Sequence, residues 1–232
     1  MIQLKSLSEI ARADAGWLRA RHHFAIGPYG NPAHEPVGNL IVLNDDEIAP
    51  HTGFDLHHHA HVEIVSYIHD GILTHRDDQG NIGTVQSGDV QVMSAGTGIN
   101  HSEHNEEDSP LRMFQIWLRP NVSGGAPAWG HKPFPKADRA GSIVPLASGR
   151  KSRGALSIRA DAEVSGALLL AGTNTTYAFN SGDAGYLVPA TGALEVNAVR
   201  VQAGEGLAIK NETAIVIRAI QDSELVLVVT AC

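Results

Sequence analysis

Cysteine is nearly missing: one Cys, at position 232, in a chain of 232 residues. No internal disulfide can form, which fits a reducing compartment. Long apolar runs are missing too. None approaches the roughly 18 residues of a membrane span, and the first 20 residues hold no secretory apolar core. A cytoplasmic chain without membrane contact is expected. Basic clusters are absent, and 17 Lys and Arg against 25 Asp and Glu give a formal net charge of −8. Nucleic acid is therefore excluded as the main partner, because phosphate neutralisation needs a basic face. Charged residues make up only 18% and apolar residues 43%, which excludes a disordered chain. The last absence is positional. All 13 histidines lie at or before His131, nine of them from His51 to His104. Any imidazole chemistry belongs to the first half.

What is present reads as β. Short apolar or alternating runs occupy residues 40–43, 63–68, 88–93, 113–118, 156–159, 167–170, 185–188, 193–201, 214–220 and 224–230. Turn clusters such as Asn44-Asp45-Asp46 and Gly204-Glu205-Gly206 separate them. Many short strands at this spacing point to a sandwich or barrel. Residues 6–20 read as a short helix. Residues 122–150, rich in Gly, Pro, Ser and Lys, read as a connector between two halves.

A faint repeat supports two halves. Gly71-Ile-Leu-Thr followed by Gln86-Ser-Gly88-Asp parallels Gly192-Ala-Leu-Glu followed by Gln202-Ala-Gly204-Glu. Gap-free counting then puts Ile217 at the place of His101, and Ala178 and Asn180 at those of His57 and His59. The second half would be a barrel whose chemical site is replaced by packing.

Chemistry concentrates in two stretches: Gly53-Phe-Asp-Leu-His57-His58-His59-Ala-His61-Val-Glu63 and Gly96-Thr-Gly98-Ile-Asn-His101-Ser-Glu103. In a strand, residues i and i+2 share a face. His57 and His59 then point one way, as do His101 and Glu103. A single His-x-His is more often a surface pair than a ligand pair. Two such pairs facing each other in a barrel supply three imidazoles and a carboxylate, which suits Fe, Mn, Co, Ni, Cu or Zn and fits Ca or Mg poorly.

These residues carry a family resemblance. Gly53-x3-His57-x-His59-x3-Glu63-x7-Gly71 and Gly88-x7-Gly96-x4-His101-x3-Asn105 resemble the two cupin motifs, with Ser94 where cupins often have Pro. The runs Thr74-His-Arg-Asp-Asp-Gln-Gly-Asn81, Gly88 to Glu103 and Phe114-Gln-Ile-Trp-Leu118 resemble the pirin-like bicupins, including the bacterial quercetinase-like members. The resemblance implies an all-β chain of two cupin (jelly-roll) barrels: a metal-binding domain, 1–135, and a cupin-like domain without ligands, 136–232. It implies a metal held by His57, His59, His101 and Glu103, with Glu103 also the catalytic base. In many cupins the carboxylate ligand sits at the position of Glu63, and that alternative stays open. Fe(II) is the expected metal, with Cu, Ni, Co, Mn or Zn fitting the same donors.

The implied reaction is O2-dependent opening of a flavonol such as quercetin. The competing expectation is a non-enzymatic regulatory module acting through a protein partner. A monomer is expected, because two barrels in one chain provide their own interface. His58 and His61 depart from the family pattern and read as solvated. His51, His69, His75 and His104 read as surface or rim. Residues 23–39 read as a lid.

Overall fold

The structure, a computed structural model, describes residues 1–150 and 152–231; Cys232 lies outside the described residues. Strands dominate, and the one helical element among the described residues is a 3-10 turn at Lys136–Arg139. No helix there is long and apolar enough to cross a membrane.

Each half pairs a seven-stranded with a four-stranded antiparallel-dominated sheet. In the first half the larger sheet runs, in spatial order, Ala128–Lys132, Val90–Ser94, Glu63–Asp70, Leu111–Leu118, Leu40–Ile48, Leu18–His22, Ala11–Asp14. The smaller runs Thr52–His59, Ile99–Asn105, Ile72–Asp77, Ile82–Gln86. The second half repeats this order: Asn174–Ala178, Ala214–Ala219, Ala193–Val196 and Val199–Gln202 form its smaller sheet. The chain is therefore the expected all-β pair of cupin domains.

The sequence repeat is real at the level of topology, but gap-free counting errs on one side. His101 pairs with His57, and Ile217 with Thr175. With Ile217 in the place of His101, the partners in the places of His57 and His59 are Thr175 and Tyr177, not Ala178 and Asn180. Ile215 and Ile217 are fully buried and Tyr177 packs on the same cluster. Apolar side chains fill the space that imidazoles occupy in the first half.

Two other expectations change. Residues 6–20 form no helix. Ala11–Asp14 pairs with Leu18–His22 as a hairpin around Ala15-Gly16-Trp17, and Gly16 takes a φ of +83°, which glycine adopts without strain. The alternation of Ala11, Ala13 with Arg12, Asp14 is a strand period, and pairing overrode the weak helical pattern. Residues 23–39 are not a lid over the histidines. Phe24 and Val37 sit in the core shared by both halves. His23 Nδ1 lies 2.9 Å from the Tyr186 hydroxyl, and Asn39 N–H donates to Thr230 Oγ1 at 3.0 Å.

That shared core contains Leu43, Val65, Phe114 and Ile116 from the first half with Leu146, Val164, Tyr186 and Val228 from the second. One element also crosses between the halves: Ile2–Lys5 pairs with Gly206–Lys210 at the edge of the second half's larger sheet. A buried polar seam accompanies the apolar one. Arg139, 1% exposed, donates to the Tyr67 hydroxyl and to the carbonyls of Gly88 and Phe134. Tyr67 donates onward to Glu224.

Candidate metal centre

Backbone register builds the site. In the smaller sheet His101 lies opposite His57 on one side and Asp77 on the other. After a bulge, Glu103 lies opposite Phe54 and His75. Directly opposed residues in an antiparallel pair share a face. The strand Ile99–Asn105 alternates strictly, with Ile99, His101, Glu103 and Asn105 inward. Gly53 allows the two ligand strands to approach: a Cβ there would lie 2.3 Å from the Glu103 carbonyl oxygen. That is the physical reason for the first glycine of the motif.

His57, His59 and His101 converge with ligand nitrogens within 4.8 Å of one another. Both ring nitrogens of His101 are buried without a hydrogen-bond partner, which is costly for an imidazole with nothing to bind. His57 Nδ1 lies 2.7 Å from the Asp55 carbonyl. It must donate there, leaving Nε2 free as a lone-pair donor. Burial first, then the neighbouring imidazoles, holds His59 down to about 4 and His101 lower still. Neutral rings in a cluster are what metal ligation needs. The donor set therefore fits a divalent transition metal.

Glu103 falls into a second, overlapping group, with His75 and His101, also within 4.8 Å. It is 1% exposed, and burial pushes its carboxyl up to about 7 against the pull of Gln115, Ser66 and Gln91. Those three form one row across the larger sheet, Gln91 opposite Ser66 and Ser66 opposite Gln115. All three donate to Glu103: Ser66 Oγ to Oε1 at 3.2 Å, Gln91 Nε2 to Oε1 at 2.5 Å, Gln115 Nε2 to Oε2 at 2.7 Å.

Glu63, the alternative carboxylate, belongs to neither group. Its Oε2 accepts from Ser94 Oγ at 2.7 Å and from the backbone N–H of Arg159 at 2.8 Å. It ties the two halves together, and Ser94, where cupins often carry Pro, is one of its donors. His58 and His61 are exposed, His61 bonding Ser123 at 2.8 Å. His51 pairs with exposed Asp108, and His104 faces Asp55.

His75 is the residue that sequence reasoning missed. It is fully buried, stacked on Trp129 at 4.7 Å, with Nε2 held by Asp77 at 3.2 Å and Nδ1 unpartnered. The signal was present in Thr74-His75-Arg76-Asp77: His75 and Asp77 share one strand face, and Arg76 takes the other. His69 is also buried at its side chain, 8% exposed, beside Asp45 between the halves. Asp46 is 2% exposed, and burial raises its carboxyl well above the usual range.

The comparisons agree with this geometry. Residues 5–118 match the Pirin family model, and 145–228 match the quercetinase C-terminal cupin domain. A pirin-like protein of Caulobacter vibrioides is 53% identical over 98% of this chain and 99% of its own. Quercetin 2,3-dioxygenase of Escherichia coli K12 is 33% identical, covering 98% of this chain and 97% of its own. The crystal structure of the bacterial pirin YhhW of Escherichia coli in complex with nickel(II) superposes with a TM-score of 0.93 at 32% identity, covering 100% of this chain and 99% of that one. Two cupin domains, a histidine cluster in the first alone, and relatives matched along nearly their whole length make this chain a member of the pirin family.

Proposed function

We infer that the chain is a metal-dependent dioxygenase of the quercetinase type, opening a flavonol such as quercetin with O2 at a mononuclear centre of His57, His59, His101 and Glu103. The observation that carries this reading is the convergence of three imidazoles, one wholly unpartnered, beside a buried carboxylate. Relatives named for quercetin cleavage support it. Fe(II) is our choice of metal; nickel(II), present in a solved relative, suits the same donors, as do Cu, Co, Mn and Zn. When bound, such an ion would lower the pKa of a flavonol 3-hydroxyl beside it, and a redox-active one such as Fe would give O2 an electron partner.

The chain's own residues do the rest. Glu103 Oε2 accepts the 3-hydroxyl proton, breaking the flavonol O–H bond and forming Oε2–H. Beside His57 lies an open surface depression of about 600 Å³ edged by Trp17, Phe54, Leu56 and His104. Trp17 and Phe54 meet edge to face at 5.1 Å and offer a flat polyphenol an aromatic wall. We assign this chemistry to residues 1–135 and a ligand-free barrel to 136–232, with Ile2–Lys5 lent to the latter's sheet. The shared core supports a monomer, and we place it in the cytoplasm. One observation favours the regulatory module instead: Leu56, next to His57, is 70% exposed, as a protein-docking residue would be.

The test is anaerobic Fe(II) loading, then O2 uptake with quercetin against an apo control. Metal-dependent uptake with loss of the flavonol is expected. No turnover by protein that holds its metal would sink quercetin cleavage and favour the partner-binding role.

A further inference from the structure

Two tryptophans reach Glu103 through two glutamines. Trp129 Nε1 donates to Gln91 Oε1 at 3.0 Å, and Trp117 Nε1 donates to Gln115 Oε1 at 3.0 Å. An indole N–H can only donate. Each glutamine must therefore turn its carbonyl to its tryptophan and its NH2 to Glu103. The amide orientation is forced by the chain on both sides of the carboxylate.

The two sides are not equal. Glu103 Oε1 accepts twice, from Gln91 and Ser66, while Oε2 accepts once, from Gln115. Gln91 also donates to Ser66 Oγ at 3.2 Å, which commits the serine proton to Glu103. A carboxylate oxygen has two in-plane lone pairs, so Oε1 is saturated and Oε2 keeps one. We propose that Gln91 and Gln115, each oriented by its tryptophan, are positioning residues that leave Glu103 a single available lone pair, on Oε2, so that it ligates through one oxygen only. This rests on the reading of Glu103 as a ligand.

The experiment titrates Co(II) and Ni(II) into the full chain, following Co(II) visible absorption and Ni(II) affinity. Gln91→Leu releases a lone pair on Oε1, and Trp129→Phe removes the donor that turns the Gln91 NH2 toward it. Both are expected to weaken the Co(II) bands, as a second oxygen raises the coordination number. Gln115→Leu leaves Oε1 saturated: its Co(II) bands keep the wild-type shape while Ni(II) affinity falls about 10–100-fold through lost orientation. Trp129→Phe keeps the apolar bulk and decides the matter alone if Gln91→Leu fails to fold. Wild-type Co(II) bands in Trp129→Phe, or equal band changes in Gln115→Leu, would overturn the proposal. Glu103→Gln separates the two layers: unchanged Ni(II) affinity there defeats the ligand reading itself, whereas lost affinity with silent glutamine and tryptophan variants defeats only the one-oxygen assignment.

Discussion

At the scale of single residues, burial decides what each imidazole can be. His23 is fully buried, bonded to Tyr186, with Nε2 unpartnered, and burial holds it down to about 3 from 6.5. Below pH 6.5 the unfolded chain takes up a proton that the native chain refuses. Stability is therefore lost as pH falls from 6.5 toward 3, by up to about 1.4 kcal/mol per pH unit from this group. His23→Gln should flatten the fall in urea-unfolding free energy between pH 7 and pH 5 relative to wild type; parallel curves would remove His23 as a source. His75 makes the complementary point. Its spacing matches no ligand motif, so sequence reasoning set it on the rim. Register places it opposite Glu103. That His57 shares a face with His59, and His101 with Glu103, was legible, because strand period alone aligns residues two apart. A partner on a neighbouring strand was not, because register depends on turn lengths and bulges.

At the scale of elements, the ligand strands meet through a glycine. Gly53→Ala would put a Cβ 2.3 Å from the Glu103 carbonyl and 2.5 Å from His104 Cα. Separating Thr52–His59 from Ile99–Asn105 should cost about 1–3 kcal/mol, read by chemical denaturation, and should weaken Ni(II) binding because the strands carry opposite halves of the site. A variant that binds Ni(II) as wild type would show that the pairing tolerates the shift. Element boundaries were the less legible part of the fold. Thr52–His59 and Ile99–Asn105 lack apolar runs because their faces carry histidines and exposed polar groups; only the ligand spacing marked them as strands. The hairpin of residues 11–22 hid behind a pattern compatible with a helix.

At the scale of the whole molecule, two cupin domains share one core. Phe114 and Tyr186 belong to the same buried cluster although they come from different halves. Scanning calorimetry should show one cooperative transition; two separate transitions would mean the halves fold independently. Arg139→Ala should destabilise that single transition by about 1–3 kcal/mol or more, since it leaves buried carbonyls of Gly88 and Phe134 without a donor. The division into two all-β halves was legible from strand spacing and the repeat. The crossing of Ile2–Lys5 into the far sheet was not, since four residues at one end carry no signal of which edge they will join.

On the proposed reading, one metal ion is held by His57, His59, His101 and Glu103. Its most direct test is metal stoichiometry and affinity after equilibrium dialysis against Ni(II), for wild type and His101→Ala. One ion per chain is expected in wild type, with loss of that ion in the variant and the fold retained by circular dichroism. Stoichiometric binding kept by His101→Ala would contradict it.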